Sequence, residues 1–317
     1  MKKILVLTSG GDSSGMNAYI KSLAKLCDKY GVELVGSMYG YQGLIDNNIV
    51  SLKYKELGEI ENLGGSILKT SRSKEFMTKR GFNKAISNIK NLNINCVVIL
   101  GGNGSFLGAK DLHNAGVNII AIPGTIDNDL FYTDKTLGYE TACENALDAI
   151  IKISQTMNST DRGSVIEIMG RHCPDISIYS ALLSNADMLI TENISFEEIL
   201  KSIKKSIKNG ANSPLIIVRE NILNVNELAA YLEQKTKKEF RANILGYIQR
   251  GGKPTQNEKL YAIRLACETI KLILEDKYGL AIGLQNNQII NCDILEAVAN
   301  TQNNQPQFKE LFEFYKK

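Results

Sequence analysis

The composition of this 317-residue chain, with 44% hydrophobic and 22% charged residues, is that of an ordinary globular protein. Its length suits one large or two medium domains. The formal net charge of +3 favours no charged partner, and the short lysine-rich runs are typical of solvated helix ends, so we expect no nucleic-acid binding. No apolar run is long enough to cross a bilayer, and the apolar start is too short for a signal-peptide core. We therefore expect a cytoplasmic protein with no membrane partner.

The six cysteines are scattered through the sequence, and none forms a C-x-x-C pair. Only His113 and His172 are available as imidazole ligands, which argues against a zinc site. We expect free, buried thiols in a reducing compartment. The adjacent His172 and Cys173 are a weak indication of a thiol nucleophile, because sequence neighbours rarely form a catalytic pair.

Apolar, β-branched runs alternate with amphipathic stretches along the chain. The predicted strands cover residues 4–8, 33–38, 97–100, 118–122, 165–169, 188–191, 215–218 and 243–245. The predicted helices cover residues 16–29, 74–91, 137–157, 196–209, 226–235 and 257–274. This alternation predicts an α/β fold whose parallel sheets are covered by helices on both faces. No repeat or linker interrupts it, so we expect closely packed domains between which the chain crosses more than once.

Two glycine-rich turns follow predicted strands. The first glycine turn, residues 8–17, contains Gly10, Gly11 and Gly15, and the second glycine turn, residues 101–105, reads Gly-Gly-Asn-Gly-Ser. Glycines let backbone amides approach a phosphate, and the following helix directs its positive N-terminus toward it. Neither turn matches a Walker loop or a G-x-G-x-x-G fingerprint, so a plain tight β-to-α turn remains an alternative for each.

An acidic loop, residues 123–129, follows the predicted strand 118–122 and contains Thr125, Asp127 and Asp129. At the carboxyl end of a parallel strand, one carboxylate could accept a proton while the other holds a metal ion. Alone, the loop reads equally well as an acidic turn. Beside two glycine turns, it predicts a crevice for a polyphosphate, a metal ion and an acceptor hydroxyl.

Five arginines lie where phosphate contacts are expected. Arg72 and Arg250 lie close to glycine pairs, Arg171 follows the single Gly170, and Arg162 and Arg241 lie at predicted strand edges. A single arginine is usually a surface residue, but an arginine beside a glycine turn at a strand end suits bidentate phosphate contact.

Several motifs of the sequence together match those of one known enzyme family. They are Thr8 to Asp12, Gly15-Met16-Asn17, the acidic loop, Gly138-Tyr139, Met169-Gly170-Arg171, and Leu245-Gly246 with Ile248 to Gly252. Together they resemble those of bacterial ATP-dependent 6-phosphofructokinases over nearly the whole chain. The resemblance implies two doubly wound α/β domains with mostly parallel sheets. The larger, nucleotide-binding domain would comprise residues 1–138 and 249–299, and the smaller, sugar-phosphate domain residues 139–248 and 300–317.

The resemblance also implies a reaction, transfer of the ATP γ-phosphoryl group to the 1-hydroxyl of fructose 6-phosphate with Mg²⁺. It implies a homotetramer whose sugar site is shared between subunits, with Arg162 and Arg241 supplied by a neighbour. Asp127 would be the general base, Asp129 would bind or support Mg²⁺, and Thr125 would orient the reacting groups. Gly11, Arg72 and Arg171 would stabilise the transferred phosphoryl group.

Further positions carried over by resemblance fall into two sets. The nucleotide contacts are Gly11, Tyr41, Arg72, Ser73, Gly102, Asn103, Gly104, Ser105 and Gly108, with Asn103 also at a metal position. The sugar-phosphate contacts are Thr125, Asp127, Asp129, Arg162, Met169, Gly170, Arg171, Glu220, Arg241, Tyr247 and Arg250. Gly104 and Gly124 resemble the ATP users, since diphosphate users have Asp and Lys there, so we expect ATP as co-substrate.

Several positions depart from the family pattern. Asn103 stands where Asp is normal, which removes a charge near Mg²⁺. Tyr247 replaces the His of the family motif, and Ser13-Ser14 replaces Ala-Pro. Ser73 and Met77 replace an aromatic and a basic residue that flank the nucleotide in the family. We expect Asn103 to weaken catalysis.

The family's effector pocket is also altered. Lys21 and Lys25 keep charge there, but Tyr54 and Ser154 stand where arginines are expected, and residues 209–213 replace a lysine-rich run. We expect little or no activation by ADP.

Two other functions remain open from the sequence alone. A non-catalytic or regulatory paralogue would bind sugar phosphate or nucleotide and assemble with an active partner. The second alternative is a kinase of this fold that uses another phosphoryl donor or another sugar phosphate, or a related Gly-Gly-Asp kinase such as an NAD kinase. Arg162, Arg241 and Arg250 argue against an NAD kinase, because together they suit a phosphosugar.

Overall fold

A computed structural model describes residues 1–299 and 307–316 of the chain. Its strands are β1 (Lys3–Thr8), β2 (Glu33–Ser37), β3 (Ile49–Ser51), β4 (Cys96–Gly101), β5 (Ile119–Thr125), β6 (Leu137–Gly138), β7 (Gly163–Ile168), β8 (Met188–Ile190), β9 (Leu215–Arg219), β10 (Phe240–Ile244), β11 (Leu280–Gln285) and β12 (Gln288–Asp293). Its α-helices are α1 (Met16–Tyr30), α2 (Tyr41–Asp46), α3 (Lys79–Asn91), α4 (Asn103–Asn114), α5 (Tyr139–Asn158), α6 (Asp175–Leu183), α7 (Phe196–Lys208), α8 (Val225–Thr236), α9 (Gln256–Leu274), α10 (Ile294–Ala299) and α11 (Gln307–Tyr315).

The first compact unit, residues 1–141 and 250–299 of the described chain, contains an eight-stranded sheet. The strand order is β12-β11-β5-β4-β1-β2-β3, and β6 pairs with β5. β1 pairs in parallel with both β2 and β4, so the chain winds to one side of β1 first and to the other side afterwards. Ligands in such sheets bind outside the carboxyl ends of the strands where the winding direction changes.

Both faces of this sheet are covered, which explains the continuous apolar sequence of its central strands. Along β1, Ile4 and Val6 pack into a core with α1 and α9, whereas Leu5 and Leu7 pack into a second core with α2 and α4. Alternate residues of a strand point to opposite faces, so both sets must be apolar. The result is the doubly wound arrangement that the sequence predicts.

The second compact unit contains residues 142–249 and the described C-terminal residues. Its four strands run in the order β10-β7-β9-β8, and every neighbouring pair is parallel. Its core brings Val165, Ile216 and Val218 together with residues of α7 and α8. The chain passes from the first unit to the second within α5 and returns after residue 249. Which ligand each unit binds remains a prediction.

Some sequence-based expectations need correction. The predicted helix 74–91 begins only at Lys79, where Thr78 caps it, and the predicted strand 243–245 overlaps β10 at residues 243–244 alone. Strands β3, β6, β11 and β12 are not among the predicted strands, although β11 has an apolar, buried sequence, and β6 occupies the start of the predicted helix 137–157. The expectation of buried thiols is wrong for Cys267, which is exposed, and for Cys292, which is half-buried. No helix in the described residues has the length and hydropathy that a bilayer crossing requires.

Candidate active site

The two glycine turns and the acidic loop lie next to one another in the first unit, because they follow the adjacent strands β1, β4 and β5. The Ser9 amide donates to the Leu100 carbonyl oxygen at 2.9 Å, which joins the first turn to the end of β4. A Cβ atom at Gly102 would lie 3.3 Å from Thr125 Cβ, so the second turn lies directly against the acidic loop. The three motifs thus form one crevice edge.

The acidic loop is held by its own side chains. Thr125 Oγ1 accepts the Asp127 amide proton at 3.2 Å. Asn128 adopts a left-handed conformation with φ 52°, and its Oδ1 accepts the Thr136 amide at 2.9 Å. Asp127 is 6% exposed and Asp129 is 9% exposed. Both carboxylates are therefore largely removed from water and rigidly mounted, as a general base and a metal ligand must be.

Asn103 begins α4, and its side-chain Nδ2 donates to the backbone oxygen of Asp129 at 3.1 Å. The carboxamide thus connects the second glycine turn to the acidic loop. An aspartate at this position could not donate that bond. The departure from the family pattern therefore exchanges a negative charge for a structural hydrogen bond.

The donor set around this junction fits a magnesium ion. Mg²⁺ prefers oxygen ligands and is commonly held by one or two carboxylates together with substrate phosphates. Asp127, Asp129 and the Asn103 carboxamide supply such oxygens. Within the described residues no group of three or more His, Cys, Asp or Glu side chains is placed to hold a metal by itself. A bound ion here would depend on the nucleotide phosphates for its remaining ligands.

Arg250 lies against the first glycine turn. Its guanidinium forms an ion pair with the Asp12 carboxylate, and its Nε donates to the Asp12 backbone oxygen at 3.3 Å. A Cβ atom at Gly11 would lie 2.7 Å from Arg250 Nη2, so any larger residue there would displace the guanidinium. Glycine at this position is thus explained by a close approach between backbone and arginine.

Arg72 follows a segment that packs on the same turn. The Gly10 amide donates to the Ser71 carbonyl oxygen at 3.3 Å, and Thr8 Oγ1 donates to the Lys69 carbonyl oxygen at 2.8 Å. These bonds place the exposed Arg72 one residue from the first turn. Gly11, Arg72 and Arg250 therefore all lie at the end of β1.

The predicted nucleotide contacts Tyr41, Ser73 and Gly108 lie beside the second turn. Tyr41 is buried, stacks on Phe76 with ring centroids 4.2 Å apart, and donates to the Ser105 carbonyl oxygen at 2.6 Å. Burial raises the pKa of its phenol, so the phenol stays a proton donor. A Cβ atom at Gly108 would lie 2.8 Å from the Tyr41 ring. Ser73 donates to the Gln42 side chain at 2.6 Å.

In the second unit, the predicted sugar contacts Met169, Gly170 and Arg171 form a turn after β7. The amides of Gly170 and Arg171 donate to Glu220 Oε1 at 3.1 and 2.8 Å. Gly170 and Arg171 both have positive φ, at 152° and 47°. Burial and the nearby Glu220 charge raise the pKa of Glu167. Glu220 thus fixes the turn that carries Arg171.

The two predicted 6-phosphate arginines lie side by side in the second unit. Arg241 in β10 is paired in register with Ser164 of the neighbouring strand β7. Arg162 immediately precedes Gly163, the first residue of β7. Arg162 Nε contacts Glu239 Oε2 at 2.5 Å, and Arg241 forms an ion pair with the same carboxylate. Both guanidiniums therefore share one carboxylate partner within the second unit. Tyr247 is 81% exposed and lies after β10.

Sequence reasoning missed four residues that organise these sites: Asp12, Gln249, Glu239 and Glu258. Asp12 pairs with Arg250, Glu239 with two arginines, and Gln249 Oε1 accepts the Met169 amide at 2.9 Å. Asp12 carried a signal, since it lies inside the first glycine turn. Gln249 and Glu258 lie far in sequence from the residues they support, and Glu239 joins its sequence neighbour Arg241 to the distant Arg162, which no local pattern reveals.

A family model described as "Phosphofructokinase" matches residues 3–273 of the chain. The chain belongs to the phosphofructokinase family. It is 42% identical over 301 residues to the ATP-dependent 6-phosphofructokinase of Clostridium tetani, covering 94% of each chain. It is 43% identical over 302 residues to the enzyme of that name from Buchnera aphidicola, covering 95% of this chain and 94% of the other. The predicted resemblance is confirmed.

The fold is confirmed by solved phosphofructokinase structures. The phosphofructokinase of Pichia pastoris superimposes with a TM-score of 0.90 at 26% identity, over 99% of this chain and 37% of that chain. The chain thus spans well under half the length of that fungal relative, whereas it spans nearly all of its bacterial relatives.

The predicted effector residue Lys21 makes contacts within the first unit. Its Nζ lies 4.5 Å from the centroid of the Tyr54 ring and also donates to the Gly58 carbonyl oxygen. A cation above an aromatic face is stabilised by the ring quadrupole. Whether Lys21 belongs to an effector pocket stays a prediction.

Proposed function

We propose that this protein is an ATP-dependent 6-phosphofructokinase that transfers the ATP γ-phosphoryl group to the 1-hydroxyl of fructose 6-phosphate. The observation that carries the proposal is the packing of a rigid, buried acidic loop directly against two glycine turns at the change in winding direction. The names of the bacterial relatives support the same activity. A cytoplasmic, homotetrameric enzyme that requires Mg²⁺ belongs to this proposal.

Asp127 is the proposed general base. Its carboxylate accepts the proton of the sugar 1-hydroxyl as that oxygen attacks the γ-phosphorus, and the bond between the γ-phosphorus and the β,γ-bridging oxygen breaks to release ADP. The Thr125 hydroxyl, which accepts the Asp127 amide, keeps the carboxylate oriented in the loop. A base held within hydrogen-bond reach of the hydroxyl contributes about 10²–10⁴-fold to such a step.

Charge neutralisation is the other need of phosphoryl transfer, whose transition state requires positioning more than covalent help. The Gly11 amide, Arg72 and Arg171 are proposed to surround the moving phosphoryl group. Mg²⁺ bound through Asp129 and Asn103 would neutralise oxygens of the β- and γ-phosphates. Gly102 and Gly104 are proposed to offer backbone amides at the start of α4, where the helix dipole favours phosphate, whereas the Ser105 amide donates to the Gly102 carbonyl oxygen at 2.9 Å.

The sugar phosphate is proposed to bind two groups of residues in the second unit. Met169, Gly170, Arg171 and Glu220 hold the sugar, and Arg162 and Arg241 of a neighbouring subunit hold its 6-phosphate. The contact of both guanidiniums with the single Glu239 carboxylate supports the second part, because it places the two positive charges close together. Arg250 and Tyr247 complete the proposed contacts.

Purified protein assayed with ATP, Mg²⁺ and fructose 6-phosphate tests the proposal. We expect turnover that falls about 10²- to 10⁴-fold in Asp127→Ser, since the base is lost while the loop remains. Asp148→Ser, which breaks an exposed ion pair with Lys152 on α5, is the matched control and should retain full activity. Binding of fructose 6-phosphate without turnover by the wild-type protein would contradict the proposal and indicate a regulatory paralogue.

A further inference from the structure

Glu258 is a buried carboxylate that the proposed reaction does not use. It lies in the first turn of α9 and is 2% exposed. Its Oε1 accepts the Gly138 amide at 2.7 Å, and its Oε2 accepts the amide and the hydroxyl of Thr141 at 3.1 and 3.2 Å. All these groups belong to the first unit. The carboxylate therefore caps the beginning of α5 from a distant helix.

The local sequence explains why this carboxylate is available. Thr255 is the N-cap of α9, and its Oγ1 accepts the Glu258 amide at 3.0 Å. In a capping box the glutamate would return to the N-cap amide. Here the Thr255 amide donates instead to Thr141 Oγ1 at 3.3 Å, which leaves the Glu258 side chain to reach α5. The start of α9 is thus tied to the start of α5 by both residues.

Gly138, which Glu258 holds, belongs to a linking segment of residues 136–138. Leu137 and Gly138 form β6, which pairs in parallel with Gly124 and Thr125 of β5. Thr136 Oγ1 donates to the Thr125 carbonyl oxygen at 2.7 Å, and the Thr136 amide donates to Asn128 Oδ1 at 2.9 Å. The linking segment therefore holds the acidic loop at two points, one on each side of Asp127.

The same segment contacts the first glycine turn. Ser13 Oγ donates to the Leu137 carbonyl oxygen at 2.9 Å. A Cβ atom at Gly15 would lie 2.9 Å from Leu137 Cδ1 and 3.1 Å from Glu258 Cγ. A Cβ atom at Gly138, where φ is 111°, would lie 2.3 Å from Ser13 Cβ. These close approaches leave the segment little room to move, so its position fixes the spacing of the turn and the loop.

We propose that Glu258 is a positioning residue for phosphoryl transfer, which holds the acidic loop and the first glycine turn at their working separation through the linking segment. The proposal rests on the proposed function for its kinetic consequence, but its structural consequence is independent of it. Small misplacements of reacting groups cost on the order of 10²-fold in rate. Loss of the carboxylate should therefore lower kcat more than it raises KM.

The test compares Glu258→Gln and Glu258→Asp with Thr269→Val. Thr269 lies on the same helix, is equally buried, and shares a 2.7 Å hydrogen bond with Tyr19, so its loss destabilises α9 without touching the linking segment. Steady-state kinetics give kcat and the KM for each substrate, and hydrogen–deuterium exchange is measured on peptides covering residues 8–17 and 123–129. Thermal unfolding confirms that each variant is folded at the assay temperature.

We expect Glu258→Gln to lower kcat about 10- to 100-fold with KM values changed less than about threefold, and to speed exchange in both peptides. Glu258→Asp should recover part of both, and Thr269→Val should change neither although its melting temperature falls. If Glu258→Gln behaves like Thr269→Val in rate and in exchange, the positioning role is wrong. If the wild-type protein shows no turnover, the proposed function fails, and the exchange comparison alone decides whether Glu258 orders the two motifs. If Glu258→Gln does not fold, Glu258→Asp carries the same comparison.

Discussion

At the scale of single residues, Asn103 carries two opposing effects. Replacing it by aspartate restores a carboxylate for Mg²⁺ but removes the hydrogen bond from Nδ2 to the Asp129 carbonyl oxygen. We expect Asn103→Asp to lower the Mg²⁺ concentration for half-maximal activity several-fold and to lower stability by about 1 kcal/mol. Activity titrated with Mg²⁺ and a thermal melt measure the two effects. An unchanged Mg²⁺ requirement would show that Asn103 is remote from the metal.

The two glycines that indicate ATP are not equivalent in the structure. A Cβ atom at Gly104 meets nothing within 4 Å, whereas one at Gly124 would lie 3.2 Å from the Gly101 amide nitrogen and from Met16 Cε. A side chain at Gly124 would therefore require its neighbours to shift by a few tenths of an ångström, whereas a side chain at Gly104 would extend into open space.

Substituting these glycines separates the two requirements. We expect Gly104→Asp to raise the KM for ATP at least about tenfold by adding charge and bulk beside the phosphates, with an unchanged melting temperature. Gly124→Ala should instead lower stability by about 1–3 kcal/mol, as overpacking does. KM values for ATP and thermal melts of both variants are the measurements. Unaltered ATP kinetics in Gly104→Asp would contradict the assignment of the second turn to the nucleotide.

At the scale of secondary-structure elements, the junction of α5 and α9 makes stability depend on pH. Burial raises the pKa of Glu258 from an ordinary 4.5 to about 7, although its three hydrogen bonds from Gly138 and Thr141 oppose this. The groups around the carboxyl are Lys135 before α5, Glu140 on α5, and Tyr261 and Arg264 on α9. Glu140 raises the Glu258 pKa further, while its own pKa is lowered by hydrogen bonds that include one from Lys135 and outweigh its burial.

The sign of the effect follows from proton binding. Between pH 4.5 and about 7 the folded protein keeps the Glu258 proton that the unfolded chain has lost, so this group's contribution to stability declines as pH rises. We expect a slope of at most about 1.4 kcal/mol per pH unit from this group. Urea unfolding at several pH values should show that slope in the difference between wild type and Glu258→Gln. A pH-independent difference would place the pKa of Glu258 outside the window.

The central strands were predicted well from the sequence, because burial on both faces of the sheet requires a continuous run of apolar residues in each of them. Strands β1, β4 and β5 each begin and end close to the predicted limits. The edge strands were missed for the opposite reason. β12 is mostly exposed, so its sequence carries no apolar run, and it is defined by antiparallel pairing with β11 through a turn at Asn286 and Asn287, both with positive φ.

For the site, sequence reasoning named the groups that are predicted to touch ligands but not those that support them. Gly11, Asp127 and Arg171 lie in recognisable motifs at strand ends. Glu258 contacts Gly138 and Thr141, and Glu239 contacts Arg162, across long separations in sequence that only the folded backbone closes. The side-chain partner of Asn103 was equally hidden, because the direction of a carboxamide is decided by the neighbouring acidic loop.

At the scale of the whole molecule, regulation is expected to differ from that of effector-controlled relatives. Lys21 is engaged by Tyr54 and Gly58, and Ser154 supplies no charge at another effector position. We expect less than about a twofold change in activity on titration with ADP, because too few cations remain for a diphosphate. Tyr54→Arg should restore binding or activation if the pocket is otherwise intact. Strong activation of the wild-type protein by ADP would contradict this prediction.

The carboxylate of Glu239 between Arg162 and Arg241 has a consequence for ligand discrimination. Any incoming anion must compete with a monovalent group that is already tethered at high local concentration. Acetate, chloride and carboxylated sugars carry no more charge per group than the Glu239 carboxylate, so replacing it with one of them would not strengthen the interaction with the two arginines. A phosphate monoester offers nearly two negative charges and three oxygens, so we expect it to compete with Glu239 better than these singly charged anions.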